Sequence, residues 1–246
     1  MRAGFTKRRG GGASTGAYAD LNLGYRSGDG HAAVSRNWET VLSSVGVPGK
    51  PLILPRMTHG DGLAHADALP EQSALSGQSD QKSLLEPENA DAVWSQSNRH
   101  VLAVTMADCL TALIFDPYSG TVAAVHAGWR GTHAHILEKT LLALANGRNI
   151  RAEKTLVAFG PCLRRESLEV GAELADRLEA KFVSVRDGRY YYDLPAANRS
   201  QAMASGIPGG NLRDAGGDTL TDPERYFSYR RDGQASGRMA AFISLL

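Results

Sequence analysis

The sequence is poor in cysteine, in net charge and in long apolar segments. Two cysteines in 246 residues cannot build a disulfide framework. No apolar run reaches the roughly 18 residues that a membrane-spanning helix needs, so no membrane association is expected. A formal net charge of +1 argues against nucleic acid as the main partner, although it leaves room for a local basic pocket.

The remaining composition is that of an ordinary soluble globular protein, with 42% hydrophobic and 22% charged residues. The length suffices for a substantial core, and no sharp change in composition divides the chain, so one domain over 1–246 is expected. The first residues, MRAGFTKRRGGG, lack the apolar stretch of a secretory signal, which predicts a cytoplasmic location. The polar segment 69–92 is expected to form a long surface loop or a lid.

Apolar periodicity predicts a mixture of strands and helices. Two strands are predicted around the turn-rich stretch 116–120, which favours an antiparallel hairpin whose second strand covers 121–127. Further strands are predicted at the start of 50–60 and over 99–109, 155–161, 190–194, 225–232 and 239–246, and helices over 132–146, 171–183 and 195–206. The class is therefore mixed α+β, because the elements do not alternate strictly.

Three polar side chains stand at the ends of predicted strands. They are His59 in THG, Cys109 in ADC and His126 in HAGWRG. The residues of a hairpin that lie far from its turn face each other, so the partner of His126 should fall near position 110 or 111. Cys109 is thus expected within a residue or two of His126.

Two imidazoles and one thiolate match a catalytic zinc site, which has three protein ligands and one open position. Zinc in such a site lowers the pKa of a bound water to roughly 7. The three residues do not form a tight CxxC or HExxH pattern, so a buried cysteine near two structural histidines is the competing interpretation. The second cysteine, Cys162, has no plausible partner nearby and is assigned to the core.

The neighbours of these residues add possible chemistry. Asp108 is a general base or an orienting group for the metal site, or else a turn carboxylate. Arg130 suits a phosphate or carboxylate at a strand-to-helix junction, or else forms a surface ion pair. Trp129 either stacks on a flat substrate or packs in the core. In the basic segment 228–238, Arg230, Arg231 and Arg238 either bind an anion or line a surface.

Several motifs together resemble one known family. In chain order they are DLNLGYRSGD, THG, MADCLTALIFDPYSGTVAAVHAGWRG, GPCLRRESLEVG and RYFSYRRDGQASGRMAAFISLL. This order is that of the YfiH/laccase-domain family, also called multicopper polyphenol oxidase. The resemblance runs from about residue 4 to the C-terminus, and ADC, HAGWRG and FSYRRD followed by GRMA are highly specific in combination.

The resemblance implies a single-domain fold of four layers, α/β/β/α, and a zinc site formed by His59, Cys109 and His126. It implies a purine nucleoside phosphorylase that acts on adenosine, inosine or guanosine with phosphate, with adenosine deaminase and methylthioadenosine phosphorylase activities. The small-molecule partners would be a nucleoside and phosphate, and the oligomeric state stays open. The family's N-terminal arginine matches either Arg8 or Arg9.

The resemblance also implies roles for further residues. Asn22 matches the asparagine of the family's LNLG motif and is expected to bind substrate. Arg130, together with Arg8 or Arg9, would hold phosphate against C1′ of the nucleoside. In deamination, Asp108 would move the proton while a metal-activated water attacks C6 of adenine.

Other functions remain as alternatives. An older label for the family is copper-dependent polyphenol oxidase, and a zinc hydrolase that edits cell-wall precursors or a metal-bound interaction domain is also compatible with the motifs. Family members often have cysteines near positions where this chain has Glu166, Ser167 and Asp218. Seven scattered histidines and two cysteines are too few for typical multicopper chemistry, so zinc is favoured over copper.

Overall fold

A computed structural model describes residues 1–69 and 84–246 and has a mixed α+β fold. Within this part of the chain the strands are β1 Arg2–Phe5, β2 Leu52–Ile53, β3 Leu63–His65, β4 Leu84–Leu85, β5 Ala92–Ser95, β6 Val101–Met106, β7 Leu110–Asp116, β8 Thr121–Ala127, β9 Leu156–Phe159, β10 Glu169–Val170, β11 Val183–Arg186, β12 Arg189–Tyr192, β13 Leu212–Asp214 and β14 Met239–Ser244. The helices are α1 His31–Ser44, α2 Trp129–His133, α3 Ile136–Arg148, α4 Ala172–Ala175, α5 Leu194–Ala204 and α6 Tyr229–Asp232.

Two large sheets form the centre of the molecule. The first has the order β1-β14-β6-β2-β4 and the second the order β13-β9-β7-β8-β5-β3, while β10-β12-β11 form a small third sheet. Side chains such as Val104 and Leu113 from the facing sheets share one apolar core. Helix α1 covers the outer face of the first sheet, and α3 and α5 cover that of the second. This arrangement confirms the α/β/β/α layers.

The two strands of the central hairpin, β7 and β8, are continuous apolar runs in the sequence because both of their faces are buried. Alternate residues of a strand point to opposite faces. Ile114 points towards the helices and Leu113 towards the other sheet, so both faces of β7 are buried. The register places Thr111 opposite His126 and Leu110 opposite Ala127, which confirms the predicted pairing.

The predicted strand over 225–232 is wrong. Phe227 is fully buried, and the chain then turns into the short helix α6. The side chain of Ser228 caps this helix by accepting a hydrogen bond from the Arg231 amide at 3.2 Å. An N-cap serine satisfies an amide that a strand would have to pair elsewhere, and this local bond outweighs the strand preference of the neighbouring aromatic residues.

Two predicted helices differ in extent. The helix predicted over 132–146 begins at Trp129 and is interrupted, because His135 adopts a left-handed backbone with φ 62° that separates α2 from α3. The helix predicted over 171–183 is only the four residues of α4, followed by a 3₁₀ turn at Ala180–Phe182. An apolar pattern of helical period therefore marked burial correctly in both segments but overestimated helix continuity.

The predicted loop or lid over 69–92 lies mostly outside the described residues, which exclude 70–83. Its described end differs from a plain surface loop, since Leu84 and Leu85 form a buried strand at the edge of the first sheet. None of the helices in the described ranges has the length and apolar character needed to cross a bilayer.

Candidate functional site

The three predicted ligand residues meet at one end of the second sheet. Cys109 immediately precedes β7 and His126 lies near the end of β8, while His59 lies in the connection between β2 and β3. The two imidazole rings stand edge to face with centroids 5.0 Å apart. One nitrogen of each ring and the Cys109 sulfur lie within 4.8 Å of one another. The structure thus brings together the residues that the sequence placed at separate strand ends.

A buried aspartate, Asp91, organises this arrangement. It is 0% exposed, and its Oδ1 lies 2.8 Å from His126 Nδ1. The carboxylate also accepts hydrogen bonds from the consecutive amides of Thr58, His59 and Gly60, each at 2.9 Å. One side chain therefore fixes the ring of one ligand and the loop that carries another.

Close packing around Cys109 leaves no room for a side chain at position 128. A Cβ atom on Gly128 would lie 2.8 Å from Cys109 Sγ and 3.7 Å from His59 Cδ2. His59 itself has a positive φ of 60°, a conformation that the Asp91 hydrogen bonds hold in place. The first glycine of HAGWRG, Gly128, is thus explained by the close approach of the thiol and the imidazole.

Electrostatic interactions favour the thiolate form of Cys109. Burial raises its pKa, but the charge of His126 and hydrogen bonds from His126 and His59 outweigh that effect and lower the pKa to about 6. Burial lowers the pKa of His126, whereas the Cys109 charge and the Asp91 hydrogen bond raise it, to about 9. The site is therefore preorganised around a thiolate, which is the form of cysteine that binds metals.

This donor set fits a single divalent metal ion. Two nitrogens and one thiolate sulfur are typical zinc ligands, with bonds of about 2.0–2.3 Å. The triangle of 4.8 Å needs only a modest closure to reach such bonds. His126 also has the carboxylate partner on its second ring nitrogen that metal-binding histidines usually have. Within the described residues no second group of three His, Cys, Asp or Glu side chains has this geometry.

The three residues open into a cavity of about 450 Å³. Its walls combine apolar and polar side chains, and besides the three ligand residues they are Met57, Thr105, Met106, Ala107, Asp108, Trp129, Leu163, Leu168, Leu194, Tyr229, Arg230 and Arg238. Cavities of this volume that are apolar with a few polar groups are typical of small-molecule sites.

Asp108 lies in the cavity wall and is itself tightly held. Its backbone has a φ of 94°, and its carboxylate accepts hydrogen bonds from Thr219 Oγ1 at 2.7 Å and from the Arg230 amide at 2.5 Å. The second bond joins the start of β7 to α6. A carboxylate has further lone pairs, so Asp108 can still accept a proton from a bound molecule.

The other predicted site residues divide into two groups. Trp129 and Arg230 line the cavity. Trp129 also packs against the core, and the guanidinium of Arg130 stacks on its ring at 4.3 Å. Arg130 itself is exposed and lies outside the cavity lining.

Arg8, Arg9 and Asn22 are also absent from the cavity lining. The Nε of Arg8 donates to the Ala19 carbonyl at 2.8 Å, and Arg9 pairs with Glu224 at 2.8 Å. Asn22 is fully buried and hydrogen-bonded within the protein.

Sequence reasoning missed Asp91 and left the role of Arg238 open. Asp91 looks like an ordinary polar residue before a strand, and only the antiparallel pairing of β5 with β8 places it beside His126. Arg238 stood in a basic segment whose anion-binding role was one of two alternatives. Its nearness to Cys109 depends on β14 pairing with β6, with Met239 opposite Met106, a contact between residues far apart in sequence.

Comparison with known proteins identifies the family. Residues 2–246 match the family described as multi-copper polyphenol oxidoreductase laccase, and the chain belongs to this family. A Shigella flexneri protein named purine nucleoside phosphorylase YfiH is 34% identical, covering 96% of this chain and 90% of that protein. A protein from an unknown prokaryotic organism named adenosine deaminase RL5 is 29% identical, covering 90% and 86%.

A solved structure shows the same fold. The YfiH protein of Bacillus licheniformis superposes with a TM-score of 0.88 over 99% of this chain and 92% of its own, at 24% identity. The resemblance to the YfiH/laccase-domain family is therefore confirmed by sequence and by fold.

Proposed function

We propose that the chain is a zinc-dependent purine nucleoside phosphorylase that also deaminates adenosine. The observation that carries this proposal is the triangle of His59, Cys109 and His126 in the wall of a cavity of about 450 Å³. The names of the relatives, a purine nucleoside phosphorylase and an adenosine deaminase, favour a nucleoside as the substrate. The proposal covers residues 1–246 as one functional domain.

Zinc is proposed because His59, Cys109 and His126 supply borderline-soft donors in the number that catalytic zinc sites use. When bound, zinc would supply a Lewis acid and activate a water molecule at neutral pH. The donor set argues against the copper oxidase alternative, because a multicopper centre needs further clusters of histidines. The described residues contain one suitable cluster.

The cavity wall suggests how a nucleoside would lie. The aromatic rings of Trp129 and Tyr229 and the side chains of Leu168 and Leu194 provide flat and apolar surface for a purine. Arg230 and Arg238 contribute positive charge to the wall, and the Arg238 guanidinium lies 5.6 Å from the centroid of the Tyr229 ring. In phosphorolysis a phosphate oxygen forms a bond to C1′ as the bond from C1′ to the base breaks. The electron pair stays on the purine, which takes up the proton that phosphate gives up, and the products are the free base and ribose 1-phosphate.

Asp108 is proposed as the proton-transfer group for both reactions. It lies next to Cys109 in the cavity wall, and its carboxylate is held in a fixed direction by Thr219 and the Arg230 amide. In deamination, water replaces the amino group at C6, the bond from C6 to nitrogen breaks, and ammonia leaves with the proton that Asp108 transfers. The deaminase activity is supported by the name of one relative.

The test begins with protein purified without chelator. Metal content is measured, and inosine and adenosine are then incubated with and without phosphate while free base, ribose 1-phosphate and ammonia are quantified. We expect one zinc per chain and release of base that depends on phosphate. His59→Ala should abolish both, whereas the matched variant His133→Ala, which changes an exposed histidine on α2, should abolish neither.

Other outcomes would support the alternatives. Turnover of inosine to base without phosphate would indicate hydrolysis. Copper with oxygen uptake on phenols would support the oxidase. Metal-loaded protein that leaves all nucleosides unchanged would contradict the proposal.

A further inference from the structure

One arginine in the cavity wall has no carboxylate partner. The Nη1 of Arg238 donates to the carbonyls of Ser236 and Gly237, at 2.6 and 3.0 Å. Over residues 1–69 and 84–246 it makes no ion pair with an acidic side chain. Burial lowers the pKa of this guanidinium, as expected for a positive charge that is partly removed from water. Such a group gains most from a bound anion.

Several contacts hold Arg238 in position. Asn22 is 0% exposed, and its Oδ1 accepts hydrogen bonds from the Arg238 amide at 2.8 Å and the Gly24 amide at 3.0 Å. A Cβ atom on Gly24 would lie 2.6 Å from Arg238 Cγ, so only glycine allows the arginine stem to pass. The turn after Asn22 is therefore shaped around this side chain, and Asn22 is a positioning residue.

Arg238 also lines a second, smaller space beside the metal cavity. This space, of about 190 Å³, is called the arginine cleft here, and it is lined by Gly24, Tyr25, Arg26, Ser27, Leu54, Pro55, Arg56, Met57, His59, Thr105 and Arg238. Four of these residues, among them His59 and Arg238, also line the metal cavity. The cleft thus adjoins the candidate metal site.

The lining of the arginine cleft is positively charged. It contains three arginines and no acidic side chain. Arg26 and Arg56 form ion pairs with Glu86, whose side chain is 7% exposed, at 2.8 and 3.6 Å. Arg56 also pairs with Glu88 at 2.7 Å, so Arg238 is the arginine of this lining that no acidic side chain of the described residues neutralises. Arg26 and Arg238 further line a more open cleft that leads outwards. A small anion could therefore reach the arginine cleft without passing through the metal cavity.

We propose that the arginine cleft binds the phosphate that takes part in phosphorolysis, an inference that rests on the proposed function. Arg238 contacts phosphate on the side of the nucleoside, and Arg26 contacts it from the outer side. Forked guanidinium groups match the oxygens of phosphate in geometry and charge. This places phosphate beside the metal cavity and assigns it to residues other than Arg8, Arg9 and Arg130.

Charge-removing variants test the assignment. In zinc-loaded protein, Arg26→Gln and Arg238→Gln should each raise the KM for phosphate about 10- to 100-fold. The KM for inosine should change much less in both variants. Arg238→Lys keeps the charge but not the fork and should recover only part of the loss. The matched control is Arg36→Gln, because Arg36 is an exposed arginine on α1 that lines none of these spaces, and its phosphate KM should equal that of the wild type.

A binding measurement separates this inference from the proposed function. Inorganic phosphate is titrated into zinc-loaded protein by calorimetry. Weaker binding to Arg26→Gln and Arg238→Gln supports the arginine cleft even if no nucleoside is cleaved, in which case only the proposed function fails. Cleavage of inosine with unchanged phosphate KM and unchanged phosphate binding in both variants would overturn the cleft while the proposed function stands.

An activity assay that compares inosine with inosine 5′-monophosphate distinguishes free phosphate from the phosphate group of a nucleotide. If the cleft holds a 5′-phosphate instead, inosine 5′-monophosphate will be the better substrate and Arg26→Gln will raise its KM. That result would overturn the assignment to free phosphate. If the assignment is correct, inosine is preferred, and the monophosphate competes with phosphate only weakly.

Discussion

The two cysteines of this chain occupy regions with opposite properties. Cys109 lies at the end of a sheet, half-buried between two imidazoles, and its pKa is lowered to about 6. Cys162 is 0% exposed in the apolar core beneath α3 and α5, and burial raises its pKa. The same side chain is therefore held as a thiolate between two imidazoles in one region and is a small apolar residue in the other.

The difference comes from neighbours rather than from depth alone. Burial raises the pKa of both thiols, but only Cys109 has histidines close enough to reverse the effect. The Cys162 side chain instead lies in the same buried hydrophobic cluster as Phe159 and Leu163. The lowered pKa of Cys109 thus depends on two strand ends and one loop that bring His126 and His59 beside the thiol.

The largest expected effect is that of Cys109→Ala. Removal of the thiolate leaves two histidines, so we expect loss of bound zinc and a fall in kcat/KM of about 10³-fold or more, equivalent to several kcal/mol of transition-state stabilisation. Metal analysis and the inosine assay measure both quantities. Full turnover in Cys109→Ala would show that Cys109 is not needed for the reaction, so that the difference between the two cysteines would not bear on function.

Asp91→Asn should have the next largest effect. The amide keeps the shape of the side chain but puts an NH₂ group where His126 Nδ1 or the amides of the 58–60 loop donate. Changing such a partner of a metal ligand typically lowers metal affinity 10- to 100-fold. Zinc affinity measured by competition with a chelator should fall by about that factor.

A second buried aspartate provides the control for Asp91→Asn. Asp116 is also 0% exposed, but it lies at the other end of the β7–β8 hairpin and accepts hydrogen bonds from Ser119. Asp116→Asn should reduce stability and leave zinc affinity unchanged. Equal losses of zinc affinity in the two variants would mean that Asp91 acts through general stability only.

The mixed α+β class and the closeness of Cys109 to His126 could be predicted from local patterns, whereas the α/β/β/α layers were implied by the family resemblance. Strand periodicity and the turn at 116–120 set the register that brings Cys109 close to His126. Asp91 and Arg238 could not be found in the same way. Their importance arises from the pairing of β5 with β8 and of β14 with β6, between segments far apart in the chain.

Local chemistry that the pattern did not reveal accounts for the remaining differences. The N-cap of Ser228 converts a predicted strand into α6. A hydrogen bond of 2.6 Å joins Ser167 to Asp218, at positions near which the family often has cysteines, and it supplies a polar link in that region. Single side-chain bonds of this kind decide boundaries and have no periodic signature.

Cys162→Ala is the counterpart of Cys109→Ala and should have a much smaller effect. Removal of a buried sulfur leaves a small cavity, with an expected cost of about 1 kcal/mol in the free energy of unfolding. Zinc content and kcat/KM should equal those of the wild type. Chemical denaturation measures the first quantity, and loss of zinc from Cys162→Ala would contradict the assignment of this thiol to the core.

The smallest expected effect concerns the charged pair near Cys162 and appears only at low pH. Burial raises the pKa of Asp214, but two hydrogen bonds from Arg164, at 2.7 and 2.8 Å, and one from the Gly216 amide outweigh it, so the folded pKa lies below the ordinary 3.8. A carboxylate with a lowered folded pKa stabilises the protein at pH values above its unfolded pKa, and this contribution is lost as the pH falls through the folded value. The free energy of unfolding of the wild type should therefore exceed that of Asp214→Asn by a constant amount from neutral pH to about pH 5, and the excess should shrink below about pH 4.

Two controls accompany this prediction. In an Arg164→Gln background the excess should be smaller at neutral pH, because the main partner of the carboxylate is gone. The kcat for inosine should not differ between the wild type and Asp214→Asn at any pH where both are folded. A change in kcat with Asp214→Asn would show that the region of Cys162 takes part in the chemistry of the region of Cys109.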